Sequence, residues 1–106
     1  MRNDLIVSKM IEIIEKTNNY VDNYDYNTFC KNSMLVEACV FNLSQLGEYA
    51  NRIDESYEEE HPDIPWRQIY GLRNRIIHDY EGINFKLIWE IINEDLPNLL
   101  EKLEQL

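Results

Sequence analysis

The spacing of apolar residues constrains the fold of this chain most strongly, because two long stretches repeat them every three or four positions. Residues 3–22 and residues 28–53 both follow this helical period, with polar residues between the apolar ones. The apolar–polar alternation typical of β-strands is not sustained anywhere. In residues 28–53 the apolar positions cover more than one face, which suits a helix that contacts both its own bundle and a partner chain. The pattern predicts an all-α protein.

Two polar stretches separate the predicted helices. Residues 20–27 are rich in Asn, Asp and Tyr and are predicted to form a loop, after which Asn27 or Thr28 caps the second helix. Residues 54–65 are acidic and contain two prolines within four positions, which favour an extended loop.

The second half of the chain predicts two more helices. A third helix is expected from Trp66 to about Asp79, and Gly71 inside it would suit close packing against another backbone. Asn84 is expected to cap a fourth helix, which Pro97 should kink. The predicted architecture is therefore a four-helix up-and-down bundle with a kinked last helix.

Length and composition bound the class of protein. A chain of 106 residues corresponds to one domain, residues 1–106, and its modest core makes dimerisation a reasonable expectation. No apolar run is long enough to span a bilayer and the N-terminus does not resemble a signal peptide, so we expect a soluble, cytoplasmic protein. Cys30 and Cys39 are expected to be buried, reduced thiols, and no metal site or cofactor is predicted.

Charge is distributed unevenly along the chain. The net charge of −10 argues against general binding of nucleic acids, because phosphate contacts need cations. Residues 66–80 nevertheless hold three arginines and a single aspartate. A local positive patch on an acidic protein can bind one specific phosphate while resisting non-specific RNA.

The main candidate site is the segment from Arg73 to Tyr80, which reads RNRIIHDY. Arginine binds phosphate with a planar fork of donors, and histidine transfers protons near neutral pH. Arg73 and His78 are therefore candidate catalytic residues for cleaving a phosphodiester without a metal. On a continuous helix, Asn74 and His78 would share a face.

The helical geometry does not by itself bring Arg73 and His78 together. Five residues correspond to roughly 140° around a helix, so either the helix loosens near its end or a second chain completes the site. The alternative that these residues have no catalytic role is also open, because an arginine and a histidine at this spacing are common by chance. Tyr80 alone is more typical of a packed amphipathic ring.

Several segments resemble the HepT-like branch of the HEPN superfamily. They are residues 61–69, which read HPDIPWRQI, residues 71–80, which read GLRNRIIHDY, and the helical stretches 46–52 and 89–97. The resemblance implies an all-α, HEPN-like dimer that acts as a metal-independent ribonuclease, the toxin of a toxin–antitoxin pair. Its motif residues correspond to Arg73, Asn74, His78 and Tyr80.

The resemblance also implies a mode of regulation. A minimal nucleotidyltransferase antitoxin would transfer AMP from ATP to Tyr80, which would place a phosphate charge close to His78 and Arg73 and exclude RNA. A second hypothesis is a binding module with the same fold that does not cleave RNA. Arg73 and Arg75 would then bind a nucleotide or the partner's ATP site. A third is a helical dimerisation module in which the motif only packs.

Overall fold

The computed structural model of this chain describes residues 2–78 and 82–106. Its α-helices are α1 (Asn3–Val21), α2 (Tyr26–Lys31), α3 (Ser33–Ala50), α4 (Glu55–Glu60), α5 (Trp66–Tyr70), α6 (Leu72–Ile76), α7 (Phe85–Glu90) and α8 (Leu96–Glu104). Two-residue strands β1 (Ile77–His78) and β2 (Gly82–Ile83) follow α6, and a π-helix (Ile91–Asp95) joins α7 to α8. The all-α class is confirmed, but within the described residues the predicted set of four helices is divided into shorter ones.

The two longest helices, α1 and α3, pack against each other, and the core extends from their interface along the buried faces of α5 to α8. Apolar side chains such as Ile6, Met10 and Leu43 are completely buried there. One polar pair joins the helices inside this core: the Asn42 side-chain amide donates a hydrogen bond to the Thr17 hydroxyl at 3.2 Å. Because both groups are buried, this bond helps to fix how the two helices sit against each other.

The predicted helix over 28–53 is wrong in two respects: the chain breaks at Asn32 into α2 and α3, and α3 ends at Ala50. The side-chain oxygen of Asn32 accepts a hydrogen bond from the Leu35 backbone N–H at 3.0 Å and so caps α3. The cap of α2 also differs from the prediction. Asp25 caps that helix and forms a reciprocal capping box with Thr28.

The acidic segment predicted as a loop contains a short helix, α4. Its N-cap residue, Asp54, is held by Asn3, whose side chain exchanges two hydrogen bonds with it. After α4, the backbone carbonyl of His61 accepts a hydrogen bond from the Trp66 indole N–H at 3.0 Å. This contact ties the turn to the buried start of α5.

Asn84 was predicted to cap the last helical region, and this is confirmed. Its side chain accepts a hydrogen bond from the Leu87 N–H at the start of α7. The irregularity expected at Pro97 takes the form of the π-helix that precedes it, in which the Leu96 N–H donates to the Ile91 carbonyl. Proline has no N–H, and in α-geometry its ring would clash with the carbonyl four residues earlier, that of Asn93. Widening the helix before Pro97 relieves this conflict.

The two cysteines are free, as predicted, although only Cys39 is fully buried and Cys30 is partly exposed. Burial raises the pKa of the Cys39 thiol to about 11. This thiol therefore stays protonated at neutral pH and is a poor nucleophile. In the described part of the chain, no helix combines the length and the apolar character needed to cross a membrane.

Candidate functional site

The candidate site rests on α5, which is anchored to α3 by an unusually close backbone approach. A Cβ atom at Gly47 would lie only 2.8 Å from the backbone carbonyl oxygen of Ile69. Trp66 and Ile69 are themselves buried, so α5 has little freedom to move away. The expectation that Gly71 provides a close backbone approach is wrong: a Cβ atom there would come no nearer than 3.9 Å to any neighbour.

Gly71 instead separates α5 from α6, where the prediction placed one continuous helix. Leu72 and Ile76 are buried at opposite ends of the single turn of α6. The three residues between them, Arg73, Asn74 and Arg75, are all exposed. The helix thus uses its apolar positions as anchors and presents two guanidinium groups and an amide to solvent.

The helix ends immediately after this exposed group. The Ile77 N–H donates to the Arg73 carbonyl, and the chain then becomes extended as β1. Ile77 pairs with Ile83, and His78 pairs with Gly82, in an antiparallel register. Gly82 has a φ of 76°, a left-handed conformation that glycine adopts at little steric cost.

A further hydrogen bond fixes the return of the chain after β2. The Asn84 N–H donates to the Ile76 carbonyl at 2.8 Å, while the Asn84 side chain caps α7. One residue therefore connects the end of α6 to the start of α7. The position of the Arg73 segment depends on this junction as well as on α5.

This geometry corrects one prediction. Asn74 and His78 do not share a helical face, because the helix has ended at Ile76 and the backbone of His78 is extended. The alternative in which the helix loosens near its C-terminus agrees with the structure. The backbone of His78 is described, whereas Asp79 and Tyr80 lie outside the described residues, so the expectation for Tyr80 stays a prediction.

The electrostatic character of the segment agrees with the predicted positive patch. Arg67 on α5 is exposed, as are Arg73 and Arg75 on α6. Within residues 2–78 and 82–106, ion pairs join only Arg2 to Asp4 and Lys9 to Glu12. The arginines of α5 and α6 are thus not paired with any described carboxylate, which leaves their donors available to a phosphate.

Sequence reasoning missed a cleft beside α6. It has a volume of about 180 Å³ and lies between α5 and α6 on one side and the π-helix and α8 on the other. Arg75 lines it, together with Asp95 and Lys102. No local pattern in the sequence indicates this cleft, because its two sides come from separate regions of the chain.

These features define a small all-α protein with exposed arginines on α5 and α6 and a histidine on the strand that follows them. The sequence profile of the HepT-like ribonuclease family matches residues 10–106. The chain belongs to the HepT-like ribonuclease family, as the resemblance predicted, and the prediction of an RNA-cleaving enzyme is confirmed at the level of that family.

Three relatives illustrate the similarity. A candidate RNase of Methanocaldococcus jannaschii is 35% identical over 90% of each chain. A candidate RNase of Caldanaerobacter subterraneus is 31% identical over 81% of this chain and 77% of its own. A protein of Thermococcus cleftensis assigned as ribonuclease HepT is 30% identical over 94% of this chain and 88% of its own. No solved structure gives a significant match.

Proposed function

We propose that this protein is the toxin of a toxin–antitoxin pair and that it cleaves RNA without a metal, using Arg73 and His78 as catalytic residues. The observation that carries the proposal is the exposed Arg73 guanidinium, one turn before a strand that carries His78, in a member of a ribonuclease family. The end of the helix at Ile76 removes the 140° separation that a continuous helix would impose.

The proposed reaction uses a nucleophile that RNA itself provides. The 2′-oxygen attacks the adjacent phosphorus as the bond from phosphorus to the 5′-oxygen breaks, which gives a 2′,3′-cyclic phosphate and a 5′-hydroxyl. His78 accepts the 2′-hydroxyl proton, a contribution of about 10²–10⁴-fold. Arg73 stabilises the charge that develops on the phosphoryl oxygens, and Asn74 and Arg75 support the binding of the phosphate.

A single imidazole cannot take the 2′ proton and protonate the leaving 5′-oxygen at the same moment. We therefore propose a homodimer in which the partner's His78 supplies the second proton. Two apolar side chains on one face of α3 support a dimer: Met34 is 80% exposed and Phe41, seven positions later, is 63% exposed. Large apolar groups exposed on one face are typical of interaction surfaces.

The cleavage chemistry predicts two results with purified protein. Single-stranded RNA should be cut equally well with and without excess EDTA, because the proposed mechanism uses no metal. A matched oligonucleotide with a 2′-deoxy sugar at the cut position should resist cleavage at that position only, because the nucleophile is gone. The measurement is gel analysis of end-labelled products.

Two outcomes would contradict the mechanism. Loss of cleavage in EDTA that returns with a divalent cation would indicate metal-dependent hydrolysis. Cleavage at the 2′-deoxy position would exclude attack by the 2′-hydroxyl. The absence of any cleavage, with RNA or nucleotide still bound, is the result expected of a non-catalytic binding module.

The regulatory part of the proposal concerns Tyr80. Co-expression with a minimal nucleotidyltransferase antitoxin should increase the intact mass of the toxin by one or more AMP units and abolish cleavage, since the added phosphate would occupy the RNA site. The Tyr80→Phe variant, which lacks the acceptor oxygen, should show no increase and should stay active. An AMP addition that persists in Tyr80→Phe would contradict this assignment.

A further inference from the structure

The cleft beside α6 takes no part in the proposed proton transfers. Five buried aliphatic side chains form its floor, including Ile69 and Leu72 on one side and Ile91 and Leu99 on the other. Its volume of about 180 Å³ is below the roughly 300–1,000 Å³ of pockets for drug-sized ligands. The cleft is therefore suited to one small group with an apolar face that can lie against this floor.

The rim of the cleft has a charge opposite to that of the whole protein. Arg75 and Lys102 contribute two positive charges and Asp95 one negative charge, a net charge of +1 on a chain whose net charge is −10. Lys102 donates one hydrogen bond to the Asp63 carbonyl at 3.0 Å, and its ammonium group has further donors available. A ligand with both an apolar plane and an anionic group satisfies both parts of the cleft.

Asp95 gives the cleft a more specific requirement. It is the last residue of the π-helix, and no described residue forms a hydrogen bond or an ion pair with its carboxylate. An ionised carboxylate only accepts hydrogen bonds. Nearby, the Asn98 amide nitrogen donates to the Glu94 carbonyl at 3.2 Å, which leaves the Asn98 side-chain oxygen as a second acceptor.

We propose that this cleft binds a guanine nucleotide of the RNA substrate and so sets a base preference for cleavage. Guanine is the one standard RNA base with two adjacent donors, N1–H and N2–H, on its Watson–Crick edge, which a single carboxylate can accept together. The base would lie against the aliphatic floor with this edge at Asp95. Arg75 and Lys102 would hold its phosphate.

This proposal rests on the proposed function, because RNA cleavage gives the base preference its role. Arg75 and Arg73 are both exposed on α6 but lie roughly 200° apart around its axis, so a strand held at Arg75 would run around the exposed side of the helix before a phosphate further along it meets Arg73. The cleft would thereby help to decide which phosphate enters the catalytic site.

Binding of mononucleotides, which cannot be cleaved, tests the proposal. Guanosine 3′-monophosphate should bind at least about tenfold more tightly than adenosine 3′-monophosphate in titration calorimetry. Asp95→Asn should remove this preference, because its amide presents a donor to one of the two guanine donors. Glu94→Gln is the matched control: it neutralises the adjacent exposed carboxylate, which does not line the cleft, and should keep the preference.

A second pair of variants tests the phosphate contact. Arg75→Ala should weaken the binding of both nucleotides at least about fivefold without changing the ratio of their affinities. Arg67 is an exposed arginine outside the cleft, so Arg67→Ala should weaken the binding of neither. Circular dichroism shows whether each variant is folded. Equal binding of the two nucleotides by the parent protein would overturn the proposal, as would a preference that survives in folded Asp95→Asn.

The two proposals can fail separately. If the protein cleaves RNA but binds the guanine and adenine nucleotides equally well, the assignment of the cleft to guanine is overturned and the ribonuclease mechanism is not. Selective binding of guanosine 3′-monophosphate by a protein that cuts no RNA would leave the cleft assignment standing and overturn the mechanism.

Discussion

Replacing Gly47 with alanine is expected to destabilise the protein by about 2 kcal/mol. The added Cβ atom would lie 2.8 Å from the Ile69 carbonyl oxygen, which belongs to the backbone and cannot rotate away. Overpacking of this kind costs up to about 3 kcal/mol, and the better helix propensity of alanine offsets about 1 kcal/mol. Thermal unfolding should show a melting temperature lower by roughly 8–16 °C.

Gly71→Ala is the matched control for this variant. A Cβ atom at Gly71 would be 3.9 Å or more from its neighbours, and its φ of −88° is open to any residue. We therefore expect a change between zero and a gain of about 1 kcal/mol, because alanine restricts the unfolded chain. Equal destabilisation by the two substitutions would show that the contact between α3 and α5 is not what holds α5 in place.

The sequence predicts those parts of the fold that depend on local periodicity. The first helix, expected over 3–22, is found at Asn3–Val21. Asn84 caps α7 as expected, because an asparagine before an apolar run is a strong N-cap signal. In both places the local pattern agrees with the tertiary packing, so no long-range information was needed.

The helix breaks at Asn32 and Gly71 were missed because they interrupt patterns that are otherwise helical. A capping side chain such as Asn32 is compatible with a helix interior in sequence, and its hydrogen bond to the Leu35 N–H decides the outcome. The contact of Gly47 with Ile69 joins residues 22 positions apart in the chain. No local pattern indicates which glycine will make such a contact.

The candidate site, like the fold, was predicted from the sequence only in part. Sequence reasoning identified the arginine cluster, because residue type and charge can be counted directly, and Arg73, Asn74 and Arg75 are indeed exposed. It placed Asn74 and His78 on one helical face, which the end of α6 at Ile76 rules out. The cleft at Asp95 was missed because its two sides come from separate regions of the chain.

The second large effect concerns catalysis. Arg73→Ala should lower the rate of RNA cleavage by about 10²–10³-fold, because it removes the donors that stabilise charge on the phosphate. Arg73→Lys should restore little of this rate, since an ammonium group lacks the planar fork of guanidinium. Arg67→Ala removes an exposed arginine of equal charge from α5 and should change the rate less than about twofold by the same reasoning.

The rate of RNA cleavage by His78→Ala in excess EDTA, compared with that of His61→Ala, tests the central claim most directly. His61 is the other histidine of the chain, and its backbone carbonyl contact with Trp66 survives the substitution. We predict a loss of about 10²–10⁴-fold for His78→Ala and a nearly unchanged rate for His61→Ala, with both variants folded. A folded His78→Ala protein that cuts RNA as fast as the parent would contradict the account.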